Sequence, residues 1–324
     1  MNHSTTSSHR RNRIVRLLGC SYPLIQGGMA WVADAELAAA VSNGGGLGVI
    51  AAANMPPELL EQQLVKVRTL TDRPFGLNIM LMSPTVEDVI ELAAKYSVPI
   101  VTTGAGSPGK VIERLKPSGT IVVPVIASVA QAKRVEKQGA DAVVAEGMEA
   151  GGHIGELTTM VLVPQIVDSV EIPVVAAGGI ADGRAVAAAF ALGAEGVQVG
   201  TRFVCCTEST VHPSYKEAIL AARDRSNVIT GRITGHPVRC LKNKLTSRFE
   251  ELEKENAPVE EYEKLGAGRL RAAVVEGDVE WGSLMAGQSA ALVNDILPAA
   301  EIIRNLFRDA EIISQGLSAA LSLE

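Results

Sequence analysis

From Tyr22 to Thr201, short apolar runs alternate with longer amphipathic stretches. The runs are Tyr22–Met29, Leu47–Ala51, Phe75–Leu81, Pro99–Thr103, Thr120–Ile126, Asp141–Ala145, Pro173–Ala177 and Glu195–Thr201. Their Val, Ile and Ala content suits strands buried on both faces. Between them, helical periodicity covers Ala33–Ser42, Pro56–Leu70, Pro84–Lys95, Lys110–Leu115, Val129–Gln138 and Thr158–Val170, and Asp182 caps a further helix reaching Leu192. Eight strands, each followed by a helical segment, predict an α/β fold of the (β/α)8 TIM-barrel type. An open doubly wound sheet is the competitor. Glycine and polar signals after strands all along the chain favour the barrel, and no Gly-x-Gly-x-x-Gly opens the first helix.

The texture changes after the eighth run. Residues 209–281 are rich in charge, with Arg232, Arg239, Lys242, Lys244 and Arg248 ahead of an acidic stretch from Glu250 to Glu263. This reads as a small cap domain with helices near Tyr215–Ala222 and Leu245–Asn256. Residues 13–208 and 282–324, the latter ending in a long helix near Leu321, are assigned to the barrel. Polar, basic residues 1–12 read as a disordered tail without the apolar core of a signal peptide.

Composition narrows the class. The 324 residues are 47% hydrophobic but only 3% aromatic, which fits close helix–strand packing better than an all-β sandwich. A net charge of -6 argues against nucleic-acid binding. No apolar run is long enough to span a membrane. Cys20, Cys205, Cys206 and Cys240 match neither a zinc pattern nor a disulfide framework, so a cytoplasmic setting without a structural metal is expected.

Candidate chemistry concentrates at the strand ends. Gly178-Gly179, after the seventh run, and Gly200-Thr201, closing the eighth with Gln198 nearby, suit a phosphate held by backbone N–H groups; the alternative is two tight turns. Gly28-Met29 would let backbone and a thioether lie against a planar ring, or would form a bulge beside a core methionine. Asn78, inside an apolar strand, needs a partner, either a core hydrogen bond or the polar edge of a ligand. Glu146, at a strand end, offers an acceptor or a salt bridge. Gly151-Gly152-His153 places an imidazole just beyond two glycines, where it can exchange a proton with a flat ligand; a turn with a surface histidine is the plainer reading. His212 and His236, each before a proline, read as structural.

As a set, Gln26–Met29, Asn78, Glu146, Gly151–His153, Ala177–Ile180 and Gln198–Thr201 resemble the flavin-dependent nitronate monooxygenase (2-nitropropane dioxygenase) family over about Arg13 to Lys216. Later stretches, Gly235–Asn243 and Glu276–Gln288, are similar to its enoyl-acyl-carrier-protein reductase II branch, with Cys240 where a small apolar residue is expected. The resemblance implies FMN in a TIM barrel, NADH or NADPH as co-substrate and an acyl carrier protein delivering trans-2-enoyl thioesters in bacterial fatty-acid synthesis. It implies His153 as the catalytic residue. FMN phosphate would sit at Gly178, Gly179, Gly200 and Thr201, and the ring near Gly28, Met29, Asn78, Glu146, Gly151, Gly152 and Gln198. The alternative is oxidation of alkyl nitronates with O2. A homodimer remains open.

Overall fold

A computed structural model of the chain describes residues 12–321, apart from the side chains of 318 and 319. The tail expected at 1–12 lies outside that range except for Asn12, and 322–324 lie outside it too. Asn12 accepts from Val15 N and caps α1 (Arg13–Leu18).

The apolar runs become strands. β1 (Leu24–Gln26) leads to α2 (Ala35–Asn43), β2 (Gly48–Ala51) to α3 (Pro57–Leu70), and β3 (Phe75–Met80) to α4 (Val86–Lys95). β4 (Ile100–Gly104) leads to α5 (Gly109–Leu115), and β5 (Ile121–Ile126) to α6 (Val129–Gln138). After β6 (Val143–Glu146) comes a two-residue strand, β7 (Gly152–His153), then α7 (Thr159–Val167). β8 (Val174–Ala177) leads to α8 (Gly183–Ala191), and β9 (Gly196–Val199) to a single turn, α9 (Thr201–Val204).

Eight strands run parallel in the order β1-β9-β8-β6-β5-β4-β3-β2. The two ends of that order meet. Leu47 N donates to Leu24 O (2.8 Å) and Gln26 N to Leu47 O (2.9 Å). The buried Gln26 side chain adds a third tie, accepting from Val49 N at 3.0 Å. The sheet is therefore a (β/α)8 barrel, and the doubly wound alternative falls.

Its interior is filled by Ile25, Leu47, Val49, Ile100, Val123, Val144 and Val175, with Ile14 and Leu18 of α1 in the same cluster. A Cβ on Gly196, at the start of β9, would lie 3.3 Å from Ile14 Cγ2, so α1 plugs the N-terminal end of the barrel. Burying each of those two side chains is worth about 1.5–3 kcal/mol. The plug leaves the C-terminal mouth for ligands.

After β9 come α10 (Pro213–Leu220), β10 (Asn227–Thr230), β11 (Val238–Leu241), α11 (Lys244–Glu255), α12 (Val259–Gly266), α13 (Arg269–Arg271) and α14 (Ala299–Leu321). Two of the expected helices are thus α10 and α11. The strands there were not expected from sequence. β10, β11 and β7 form a separate antiparallel sheet, which pairs Val238 with His153 and Arg239 with Gly152. α10 packs into the main core through Tyr215, whose hydroxyl donates to Met285 O at 2.8 Å. α14 lies along α8 and α2. Among the described residues no helix is long and apolar enough to cross a membrane.

Candidate active site

The C-terminal ends of the eight barrel strands surround one cavity of about 800 Å³, within the range of cofactor and small-molecule sites. Gly28, Met29, Asn78, Glu146, Gly151, Gly152, His153, Gly178, Gly179, Gln198, Gly200 and Thr201 all line it. Residues far apart in sequence meet there because each follows a different strand of one ring.

The β8 and β9 ends form one wall. Gly178 and Gly179 have φ of 95° and 75°, a region that L side chains avoid, and a Cβ on Gly178 would come within 2.7 Å of Gly147 O. Glycine there keeps the peptide groups bare toward the cavity. Thr201 opens α9 and its Oγ1 accepts from Gly287 N at 2.9 Å, leaving its O–H free to donate into the site.

The β1 and β3 ends form a second surface, with β1 directly beside β9 in the ring. A Cβ on Gly28 would lie 2.3 Å from Asn78 Cγ, so the amide packs directly on that backbone. Asn78 Nδ2 donates to Thr102 Oγ1 at 2.9 Å. The amide therefore makes a core hydrogen bond while also bordering the cavity, and both readings of it hold. The Met29 side chain reaches across toward Gly200, where a Cβ would find Sδ at 3.6 Å.

Two polar side chains reach the cavity without a protein partner. Gln198 Oε1 is buried and accepts no hydrogen bond among the described residues. Glu146, at the end of β6, makes no ion pair there either. Surrounded by protein except where it faces the cavity, its carboxyl is pushed up by burial to about 7. An unsatisfied buried polar group costs about 1–3 kcal/mol, so both positions are built for a ligand that supplies the missing partner.

His153 stands in β7, where it is held from three directions. The cap strand β11 pairs with it, and Ile154 N donates to Pro237 O at 3.2 Å. Gly151 presses on the chain at Ala286 and Gly287, where a Cβ would meet Ala286 C at 2.7 Å. Buried Arg239 donates to Met148 O from Nε (3.2 Å) and Nη2 (2.9 Å), tying β11 to the loop before His153. His153 is thus part of a sheet, not of a simple turn. Its pKa is lowered from 6.5, first by desolvation and then by repulsion from His236, so near pH 7 it is a neutral imidazole.

His236, expected to be structural, lines the cavity with Gly235, Pro237 and Met285. Nothing in the local sequence distinguishes it; only the fold of the cap brings it there. His212 is structural as expected, since its Nδ1 accepts from Ser214 N (3.2 Å) and caps α10. Of the five cations named in the cap, Arg239 is not a surface charge: it is 4% exposed and internally bonded. Lys244 pairs with Glu280, and Arg248 with Glu251 and Glu255.

A barrel with its ligand site at the C-terminal mouth and a histidine presented from a cap sheet defines the class. The family model for nitronate monooxygenase matches residues 11–309, and the chain belongs to that family of oxidoreductases. It is similar in structure to FabK from Thermotoga maritima, at 50% identity and a TM-score of 0.93, over 96% of this chain and 99% of that one. A (3aS,4S,5R,7aS)-5-hydroxy-7a-methyl-1-oxo-octahydro-1H-indene-4-carboxyl-CoA dehydrogenase of Mycobacterium tuberculosis is 33% identical, covering 95% of this chain and 98% of its own. A probable nitronate monooxygenase of Staphylococcus saprophyticus is 36% identical, covering 93% of this chain and 98% of its own.

Proposed function

We propose that the chain is an FMN-dependent reductase of trans-2-enoyl thioesters that draws hydride from NADH or NADPH and accepts substrates carried by an acyl carrier protein. The observation that carries this reading is the likeness to FabK at 50% identity over nearly the whole of both chains. A relative whose name specifies a carboxyl-CoA substrate adds support for a thioester.

The cavity suits FMN on its own terms. Gly178, Gly179, Gly200 and Thr201 would hold a phosphate, and the Gly28–Met29 backbone would face a flat ring. The orphan Gln198 Oε1, the unpartnered Glu146 carboxyl and Asn78 match a ring with polar edges. When bound, FMN supplies hydride transfer between the nicotinamide and the conjugated double bond.

The overall reaction places a hydride on the β-carbon and a proton on the α-carbon, with the nicotinamide oxidised. His153 serves the proton side. As a neutral imidazole it donates its ring N–H to the thioester carbonyl, and when protonated it hands a proton to the α-carbon. Gly151 and Arg239 keep it in place, and the cap strand above the mouth limits water.

The lowered pKa of His153 favours a second reading, since a neutral imidazole is a ready base. There it would remove a proton from the nitro-bearing carbon of a nitroalkane, giving the nitronate that is then oxidised with O2 as oxidant. Anaerobic stopped-flow separates the two. Fast reduction by NADH or NADPH, followed by reoxidation with a crotonyl thioester, is expected. Reduction by an alkyl nitronate and not by a nicotinamide would replace the first reading with the second.

A further inference from the structure

The cavity lining contains one lysine or arginine among the described residues, Arg134, and it comes from an element outside the β8–β9 wall. In the ring order, β5 is separated from β9 by β8 and β6, and β4 by one strand more, so β4 stands across the eight-stranded ring from β9. Arg134 belongs to α6, after β5. Its neighbours in the lining, Ser107 and Gln131, come from the loop after β4 and from α6. Gln131 and Arg134 are one turn apart on α6 and share a face.

The local geometry holds this group together. Gln138 Nε2 donates to Ser107 Oγ at 3.0 Å, docking α6 on the β4–α5 loop. Gln131 Oε1 accepts from Ala127 N at 2.8 Å, which fixes its amide and leaves the NH2 to donate. Arg134 is exposed, with no ion-pair partner among the described residues. Ala105 in the same loop has a φ of 56°, uncommon for a residue other than glycine, and a Cβ on neighbouring Gly104 would meet nothing within 4 Å.

We propose that Arg134, with Gln131 and Ser107, forms a second phosphate-binding subsite on the β4–β5 side of the mouth, separate from the Gly178–Gly179 wall. It binds the phosphoester of the substrate that enters after the cofactor. The inference rests on the reading in Proposed function, where both reactants carry such a group: the pyrophosphate of the nicotinamide nucleotide and the phosphate of a pantetheine arm. A planar guanidinium beside the Gln131 NH2 and a Ser107 hydroxyl, whose own proton is held only by a 3.5 Å bond to Gln138 Oε1, recognises either, by charge-assisted and forked hydrogen bonds.

The test uses the flavin-loaded full chain and Arg134→Gln, an exposed substitution that leaves folding nearly untouched. KM is measured for NADH, NADPH, crotonyl-CoA and crotonyl-N-acetylcysteamine, a thioester without phosphate. A rise of about tenfold in KM is expected for a phosphate-bearing reactant, with no such rise for the phosphate-free thioester. A rise confined to the nicotinamides assigns the subsite to the pyrophosphate, and one confined to crotonyl-CoA assigns it to the pantetheine side. Arg134→Lys should recover part of the loss. Equal KM values in wild type and variant for every reactant, or an equal rise for the phosphate-free thioester, would overturn the subsite. Calorimetric titration with inorganic pyrophosphate gives a readout independent of turnover. If the wild type fails to turn over enoyl thioesters, pyrophosphate binding that weakens in Arg134→Gln still upholds the subsite, and binding that is absent or unaltered removes it.

Discussion

The imidazoles of His153 and His236 meet edge to face, with ring centroids 6.4 Å apart and planes at 82°. One ring comes from β7 and the other from the cap, so the cap does more than cover the mouth. Its histidine helps to keep the proton off His153. His236→Ala should therefore move the His153 pKa upward, toward 6.5. Titration of the His153 ring protons by NMR reads this directly, and a pKa that stays put would show that desolvation alone sets it.

The protonation state of His153 also has a kinetic signature. Because its pKa is lowered, protonation occurs only on the acid side of 6.5. If it acts as a general acid, the enoyl half-reaction slows as pH rises through that window; if as a base on nitroalkanes, the rate rises through it. His153→Ala should retain the cofactor and nicotinamide oxidation by artificial acceptors, while the enoyl half-reaction falls by roughly 10²–10⁴-fold. An unaltered rate in the variant would hand the proton step to water.

Glu146 links the site to stability. Its carboxyl is raised from 4.5 to about 7 by burial, so the folded state holds its proton more tightly than the unfolded state does. The stabilisation is full below pH 4.5 and is lost as pH rises through 7. Glu146→Gln in cofactor-free protein should thus be about as stable as wild type at pH 4.5, and more stable at pH 8 by up to about 3 kcal/mol. Denaturant unfolding at the two pH values tests this. A difference that does not depend on pH would mean that the carboxylate has a partner in solution.

Gly28 and Asn78 are in close contact in the cavity wall, where the proposed flavin ring would lie. Gly28→Ala places a methyl on the Asn78 side chain, an overpacking worth about 1–3 kcal/mol. Lower stability and loss of flavin absorbance are expected. Adding Asn78→Gly, which removes Cβ (2.4 Å from the new methyl) as well as Cγ, should recover part of the melting temperature without restoring the cofactor, since the amide itself is gone. If the single variant keeps full flavin content, the ring lies elsewhere.

Arg239 and the nearby lysines separate packing from docking. Arg239→Met leaves Met148 O without its donor and loosens the loop before His153, with an expected loss of about 1–3 kcal/mol. Lys242→Glu with Lys244→Glu sits on the surface and should shift stability by less than about 0.5 kcal/mol. If an acyl carrier protein docks there, that pair raises KM for a carrier-linked thioester and not for crotonyl-CoA, and the effect shrinks with salt because exposed charges are screened over about 8 Å. Equal KM values for the carrier-linked substrate would place docking on another face.

The sequence by itself determined the barrel and most of its mouth. Continuous short runs buried on both faces, such as Val174–Ala177 and Gly196–Val199, separated by capped amphipathic helices, have few ways to bury themselves other than a closed parallel ring. Glycines such as Gly178 and Gly179 are visible in sequence because a local backbone need selects them. Only the tertiary structure decided the cap and what it brings to the site. β10 and β11 are short and half-polar, and their partner β7 is two residues long, so none carries a period of its own; they exist through pairing between residues far apart in the chain. The burial of Arg239, the approach of His236 to His153 and the meeting of Arg134 and Thr201 at one mouth arise from long-range packing. Charge and residue type in a linear chain do not encode which side chains will be shielded from water.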